Sequence, residues 1–201
     1  NNSKQKIEVK INNEKKIKYK INTINDYLIS NSMAILACIQ ICGLKITLIK
    51  NLRTLEITSG RGNISKFRIL NKNIELHDHS YNSSPTSLFA SLNIFLKTGK
   101  NENLIIIGDM NELGKKSVYY HTKVLNLVKN NKYDMHLIIG KLFYRYKKKF
   151  ISKRINFYKD VNDLNKNVLK YTKINNRIFI KGSNSINLQE TINLLSDNLI
   201  K

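Results

Sequence analysis

The chain has 201 residues, 41% of them hydrophobic and 24% charged, with a formal net charge of +21 at pH 7. This length suits one large domain or one and a half smaller ones, and the apolar share is enough for a proper core. The longest apolar stretch, residues 33–42, falls well short of the ~20 residues that span a bilayer, and two cysteines are too few for a disulfide scaffold.

Residues 6–24 alternate apolar and charged side chains around an Asn-Asn turn, the period-2 pattern of a strand pair with one wet face. Residues 28–42 carry Leu28, Ile29, Met33, Leu36, Ala37 and Ile41 at helical spacing, with Gly43 placed to end the helix. Cys38 and Cys42 fall within it and read as small core hydrophobes, consistent with a reducing cytoplasm. Residues 46–55 fit neither template. Thr58-Ser59-Gly60-Arg61-Gly62-Asn63 is the best boundary in the chain, dividing it into 1–58 and 59–201. Beyond it strand and helix alternate. Strand 74–76, a helix opened by Pro85 and reaching Lys97, and strand 103–107 come first. Helix 115–130, strand 135–139, a short helix and strand 154–158 follow, then helix 161–172, strand 177–181 and helix 186–199. This rhythm predicts an α/β fold, a mostly parallel sheet flanked by helices on both faces.

The charge would ordinarily point to nucleic acid or an anionic membrane surface. Lys, Asn and Ile are enriched throughout, however, as a coding bias would leave them, and the lysines are dispersed. The one cluster, Lys147-Lys148-Lys149 with Arg145, Lys153 and Arg154 nearby, reads as a solvated helix face. The chain has no aromatic-rich RNA-binding signature, zinc-ligand spacing or basic heptad pattern, so nucleic acid is not expected as the main partner. A polyanionic nucleotide substrate fits the charge equally well. The chain begins Asn1-Asn2 rather than Met, as an internal piece of a longer protein would.

The most informative segment is Gly108-Asp109-Met110-Asn111-Glu112-Leu113-Gly114. It ends the apolar run from Leu104 to Ile107 and is followed by Ser117 and His121. A buried strand that stops at Gly-Asp delivers a carboxylate to its carboxyl end, where open α/β sheets bind ligands. The same edge receives residues 77–82, Gly140-Lys141 and Lys181-Gly182-Ser183. Bland readings stay open beside this one. His121, four residues after Ser117 on a helix, also suits a structural histidine, and Asp109 also suits a turn cap. Glu112 would equally stabilise its own loop, and Arg61 would equally be a surface arginine. His77 and His79 flank Asp78 closely enough to raise a metal, but alternate strand residues point opposite ways, and no metal ligand is assigned.

Asp78-His79-Ser80-Tyr81-Asn82-Ser83-Ser84-Pro85 resembles the Asp-Asp-Ser-Tyr-Asn-Ala-Asn-Pro motif of the D-alanyl-D-alanine-adding Mur ligases. Residues 108–121 match that family's Gly-Asp-Met-x-Glu-Leu-Gly-x-x-Ser-x-x-x-His motif at every specified position. Gly60-Arg61, Lys181-Gly182-Ser183 and Asn31-Ser32-Met33-Ala34 are similar to further family landmarks. The resemblance runs from about residue 25 to the end. It implies the tail of a central ATPase-type domain (1–58) followed by a Rossmann-like C-terminal domain (59–201). The activity it implies is cytoplasmic, ATP- and Mg2+-dependent amide bond formation in peptidoglycan precursor synthesis. A carboxylate of UDP-N-acetylmuramoyl-tripeptide is activated as an acyl phosphate and attacked by the amine of D-alanyl-D-alanine, in a monomer without membrane insertion.

By the same resemblance Asn31 would contact adenine, Arg61 the ATP phosphates and Asp78 the ribose. Tyr81, Asn82, Asp109, Glu112 and His121 would line the substrate side. The sequence also departs from the family. His79 replaces the second Asp, Asn25-Asp26-Tyr27 stands where a Gly-x-His is usual, and Asn184 replaces an arginine. No Gly-x-x-Gly-Lys-Ser/Thr phosphate loop occurs in these residues, so the catalytic groups and Mg2+ ligands are expected upstream and the chain alone is expected to be inactive. The alternatives are a non-catalytic remnant of the same fold and, less favoured, a basic nucleic-acid-binding domain.

Overall fold

The structure, a computed structural model, describes residues 5–11, 15–21, 26–54, 58–69, 72–99, 102–131, 133–172 and 174–197. The chain forms two compact units, Asn1–Glu56 and Ile57–Lys201.

In the first unit β1 (Gln5–Ile11) pairs antiparallel with β2 (Lys15–Ile21), in a register that sets Ile7 opposite Tyr19 and Val9 opposite Ile17. The Asn-Asn turn expected between them lies outside the described residues. α1 (Asp26–Ile41) and a 3-10 helix over Ile46–Thr54, the segment that fits neither sequence template, complete the unit. Ile17, Tyr19, Leu36, Ile39, Ile49 and Leu52 form its core. The Tyr19 hydroxyl lies 2.6 Å from Ser32 Oγ, which itself donates to the Ile29 carbonyl, so the polar groups inside this small core are satisfied. Gly43 ends α1 at φ 66°, and the Leu44 N–H reaches back to the Ile39 carbonyl, a left-handed cap in which a side chain would be strained.

The face expected to be buried is only partly so. Met33, Ala37 and Ile41 are exposed, and Cys38 and Cys42 are free, exposed thiols rather than core residues. α1 is apolar around most of its circumference, and this unit covers only the stripe through Ser32, Leu36 and Ile39.

The second unit is a six-stranded sheet of order β3-β4-β8-β5-β6-β7. β3 (Asn63–Ile69) is an antiparallel edge strand on β4 (Lys72–His79). β4, β8 (Arg177–Lys181), β5 (Leu104–Gly108), β6 (Met135–Ile139) and β7 (Ile155–Tyr158) run parallel. Alternate residues feed two cores, as the two-residue period of a strand requires. Leu76, Leu104, Ile106, Leu137, Ile139, Ile178 and Ile180 pack under α6 (Val161–Thr172) and α7 (Leu188–Asp197). Ile105, Ile107, Ile138, Phe157 and Phe179 pack under α2 (Pro85–Lys97), α3 (Ser117–Asn130), α4 (Lys141–Tyr144) and α5 (Lys147–Phe150). The expected α/β layout is observed, with helices on both faces.

The order fixes where a ligand fits. The helices after β4 and β5 go to one face and the helix after β8, the strand between them, goes to the other. Divergence of that kind opens a crevice at the carboxyl ends of the strands, the switch point of a doubly wound sheet.

Candidate functional site

A cleft of about 490 Å³ sits at that switch point, lined by Tyr81–Ser84 after β4, Asn111–Leu113 after β5 and Ser183–Ser185 after β8. Its floor is tight. The Gly108 and Gly182 backbones pack so closely that a Cβ on Gly182 would stand 3.0 Å from the Gly108 Cα. The Ser183 N–H donates to the Asp109 carbonyl and the Asn111 N–H donates to Ser183 Oγ at 2.9 Å. Asn111 Nδ2 donates to Ser185 Oγ, so the loops after β5 and β8 are laced into one wall.

The opposite wall is the entry to α2. Ser84 caps this helix reciprocally with Ser87, and Pro85 opens its first turn. Lys181, buried at the end of β8, donates from Nζ to the Asn82 carbonyl at 2.8 Å and holds the turn before the helix. Burial pulls the Lys181 ammonium down to about 8. Ser83 is buried, and its Oγ is one of three buried side-chain atoms that lack a partner among the described residues. The wall therefore presents a helix N-terminus and contains a buried, unmatched hydroxyl, groups that favour an anionic oxygen.

Both aspartates singled out in the sequence are buried at this edge and already satisfied. Asp78 Oδ1 accepts from the Ser80 N–H and hydroxyl, and Oδ2 accepts from the Gly60 N–H at 2.9 Å. The Tyr81 N–H returns to the Gly60 carbonyl, and a Cβ on Gly60 would fall 2.8 Å from the Tyr81 nitrogen. Asp78 is thus a clamp that folds the Gly60 turn against the end of β4. Asp109 accepts from the N–H groups of Leu142 and Phe143, each at 2.8 Å, and ties the end of β5 to the turn after β6. Burial pushes its carboxyl above the usual range, against the opposing pull of those two N–H groups. Gly140, at φ 122°, clears the way, because a Cβ there would lie 2.3 Å from the Asp109 carboxyl carbon.

His121 is buried, with both ring nitrogens engaged inside the protein. Its Nδ1 donates to the Ser117 carbonyl at 2.8 Å, its Nε2 accepts from the Met110 N–H, and its ring meets Phe143 edge-on at 4.5 Å. Nε2 therefore carries no proton, and its 3.7 Å approach to Asp109 is not an ion pair. Of the remaining expected residues, Tyr81, Asn82 and Glu112 do line the cleft. Arg61 stacks its guanidinium 4.0 Å over the Tyr81 ring beside it. Asn31 is exposed on α1 in the other unit. His79 lies against Phe179, and burial drives its pKa down to about 3. His77 instead contacts Glu75 at the more buried end of β4. Ser183, Asn184 and Ser185 line the cleft without a role assigned from sequence, although Lys181-Gly182-Ser183 marked the turn that carries them.

No family model matches the chain. Its sequence is 29% identical over 184 residues to the UDP-N-acetylmuramoyl-tripeptide–D-alanyl-D-alanine ligase of Rickettsia prowazekii, covering 90% of this chain and 40% of that protein. The enzyme of the same name from Buchnera aphidicola (subspecies Baizongia pistaciae) is also 29% identical, over 86% of this chain and 36% of its own length. In sequence this chain is similar to these D-alanyl-D-alanine-adding ligases. Solved MurF structures share the fold, one from Acinetobacter baumannii at TM-score 0.72 and 18% identity, and the ADP complex from Thermotoga maritima at 0.68 and 19%. They are matched over 92% and 93% of this chain and 40% and 42% of theirs. The chain thus spans about two fifths of the length of the Mur ligases it resembles.

Proposed function

We propose that this chain is part of an ADP-forming cytoplasmic ligase that joins D-alanyl-D-alanine to UDP-N-acetylmuramoyl-tripeptide in peptidoglycan precursor synthesis, and that its cleft holds the dipeptide. The observation that carries this reading is the pairing of the Ser83 hydroxyl, which lacks a partner, with the N-terminus of α2 in one wall of the cleft. A dipeptide carboxylate would accept from that hydroxyl and from the Thr86 N–H, since Pro85 has none and the Ser87 N–H is taken by the cap. Asn82, Ser183 and Asn184 offer further hydrogen bonds to the peptide group. Glu112, exposed on the opposite rim in a left-handed conformation (φ 62°), would face the dipeptide ammonium. Held at both ends, the dipeptide presents its amine to an activated carboxyl group, and fixing that orientation is the rate advantage such a site provides.

ATP would supply the phosphoryl group that activates the tripeptide carboxylate, with Mg2+ neutralising phosphate charge. The residues of this chain do not fit a nucleotide unaided. Both Asp78 oxygens already accept from backbone and serine donors, which leaves Asp78 little capacity for ribose hydroxyls, and His79 stands where the family has a second carboxylate. Phosphate contact through Arg61, whose guanidinium stacks on Tyr81, and adenine contact through Asn31 both rest on the resemblance. Phosphate and metal binding are therefore assigned to the length of ligase that the relatives have beyond the matched region. The clamped Asp78 and the buried, uncharged His79 also favour a second reading, a remnant that keeps the peptide cleft but has lost nucleotide chemistry.

Equilibrium dialysis tests the first part. D-alanyl-D-alanine should bind saturably, L-alanyl-L-alanine should not, and Ser83→Ala should weaken binding about tenfold, as loss of a hydrogen bond to a charged group does. Equal uptake of both stereoisomers would remove the reading. Given ATP, Mg2+ and both substrates, the isolated chain should release no ADP, and steady release would show that the missing nucleotide groups are not needed.

A further inference from the structure

Residues 141–159 hold eight lysines and arginines and no acidic residue, where the composition of the chain would place about three cations and one acid. They cover α4, α5, the lead into β7, and β7 itself, the edge strand of the sheet, with Lys159 just past its end. Among the described residues none of the eight is ion-paired with a carboxylate. Two exposed apolar side chains accompany them. Ile151 is 49% exposed in the loop after α5, and Tyr133 is 63% exposed before β6, bound through its carbonyl to the Arg154 guanidinium at 2.7 Å. Ile151, Lys153 and Arg154 lie at the amino end of the parallel strands. The cleft opens at the carboxyl end, so a partner seated on this rim leaves it open.

We propose that this flank is a docking surface for an anionic phospholipid membrane, to which the chain binds peripherally. Exposed lysines that meet no carboxylate, flanking an exposed isoleucine and tyrosine, combine long-range attraction to acidic headgroups with apolar anchors for the interface. The ring at the centre of the patch is poorly placed to stack a base, as binding of single-stranded nucleic acid would need. The Tyr144 ring in the middle of the patch lies 5.0 Å from Lys147 Nζ and 5.4 Å from Lys159 Nζ, and is only partly exposed. The cluster whose spacing suits a solvated helix face is, on this view, an interface.

The test is co-sedimentation of the 201-residue chain with phosphatidylcholine vesicles, pure or containing about one third phosphatidylglycerol. Binding should require phosphatidylglycerol and fall with salt. The exposed triple K148E/K149E/K153E should lower the partition coefficient by roughly a hundredfold, at about fivefold per cation. The charge-matched control K50E/K129E/K166E should lose far less. Ile151→Ser should weaken vesicle binding and leave any binding to single-stranded RNA unchanged. Circular dichroism should show every variant folded. The proposal is overturned by failure to bind phosphatidylglycerol vesicles, by equal loss in both triples, or by a patch triple that loses RNA binding alone.

Discussion

Asp78 and Lys181 carry the clearest residue-scale consequences. Replacing Asp78 by Asn keeps the shape but turns an N–H towards at least one donor that the carboxylate satisfied. Urea unfolding should show a loss of about 2–4 kcal/mol, and a loss below about 0.5 kcal/mol would mean that the clamp is not needed. Lys181 titrates near 8 when folded and near the ordinary lysine value when unfolded, because burial disfavours its charge. Between those two pH values the unfolded chain binds more protons, so this group makes the fold more stable as pH rises through the window and contributes no slope below it. The difference in stability between the parent chain and Lys181→Met should therefore change by about 2 kcal/mol from pH 8 to pH 10.5. A flat difference would show Lys181 to be solvated. The sequence identified these residue types at this edge but not their partners. A carboxylate at a strand end reads the same whether it meets a ligand or its own backbone, and only the fold brings Gly60 to Asp78 and Leu142 to Asp109.

At the scale of elements, the turn after β6 and the start of α2 are the vulnerable joints. Gly140→Ala places a Cβ at an unfavourable φ and into the Asp109 carboxylate, and should cost about 3 kcal/mol or more, read as a drop in thermal midpoint. Ser84→Ala removes one half of a capping box and should cost only about 1 kcal/mol. A reversal of that ranking would contradict the tight approach at Gly140 and the capping role of Ser84. The strongly apolar strands β5, β6 and β8 and helices α2 and α6 were legible because hydrophobic runs and periodicity define them. β3 was not, since an edge strand reading Asn-Ile-Ser-Lys-Phe-Arg-Ile, with Ile64 exposed, has no apolar face that stands out. β4 runs past the expected stretch of 74–76 because His77 and Asp78 are buried polar residues, matched by Glu75 and by the Ser80 and Gly60 donors, and pattern reading ends a strand at the first polar run.

At the scale of the molecule, stability concentrates in the second unit. Its central strands are flanked on both faces by cores of large, fully buried side chains, whereas the first unit has a small core and an uncovered apolar helix face. Amides of residues 105–107, 137–139 and 178–180 should exchange slowest with deuterium, and those of α1 markedly faster. Equal protection in both units would show that the first is held by more than its own core. The central claim is that strand ends at the switch point together hold a dipeptide. The most direct measurement is a titration of the isotope-labelled chain with D-alanyl-D-alanine, followed by amide chemical shifts. Saturable shifts should centre on residues 82–84, 111–113 and 183–185. Saturable shifts centred elsewhere, or none at all, would contradict it.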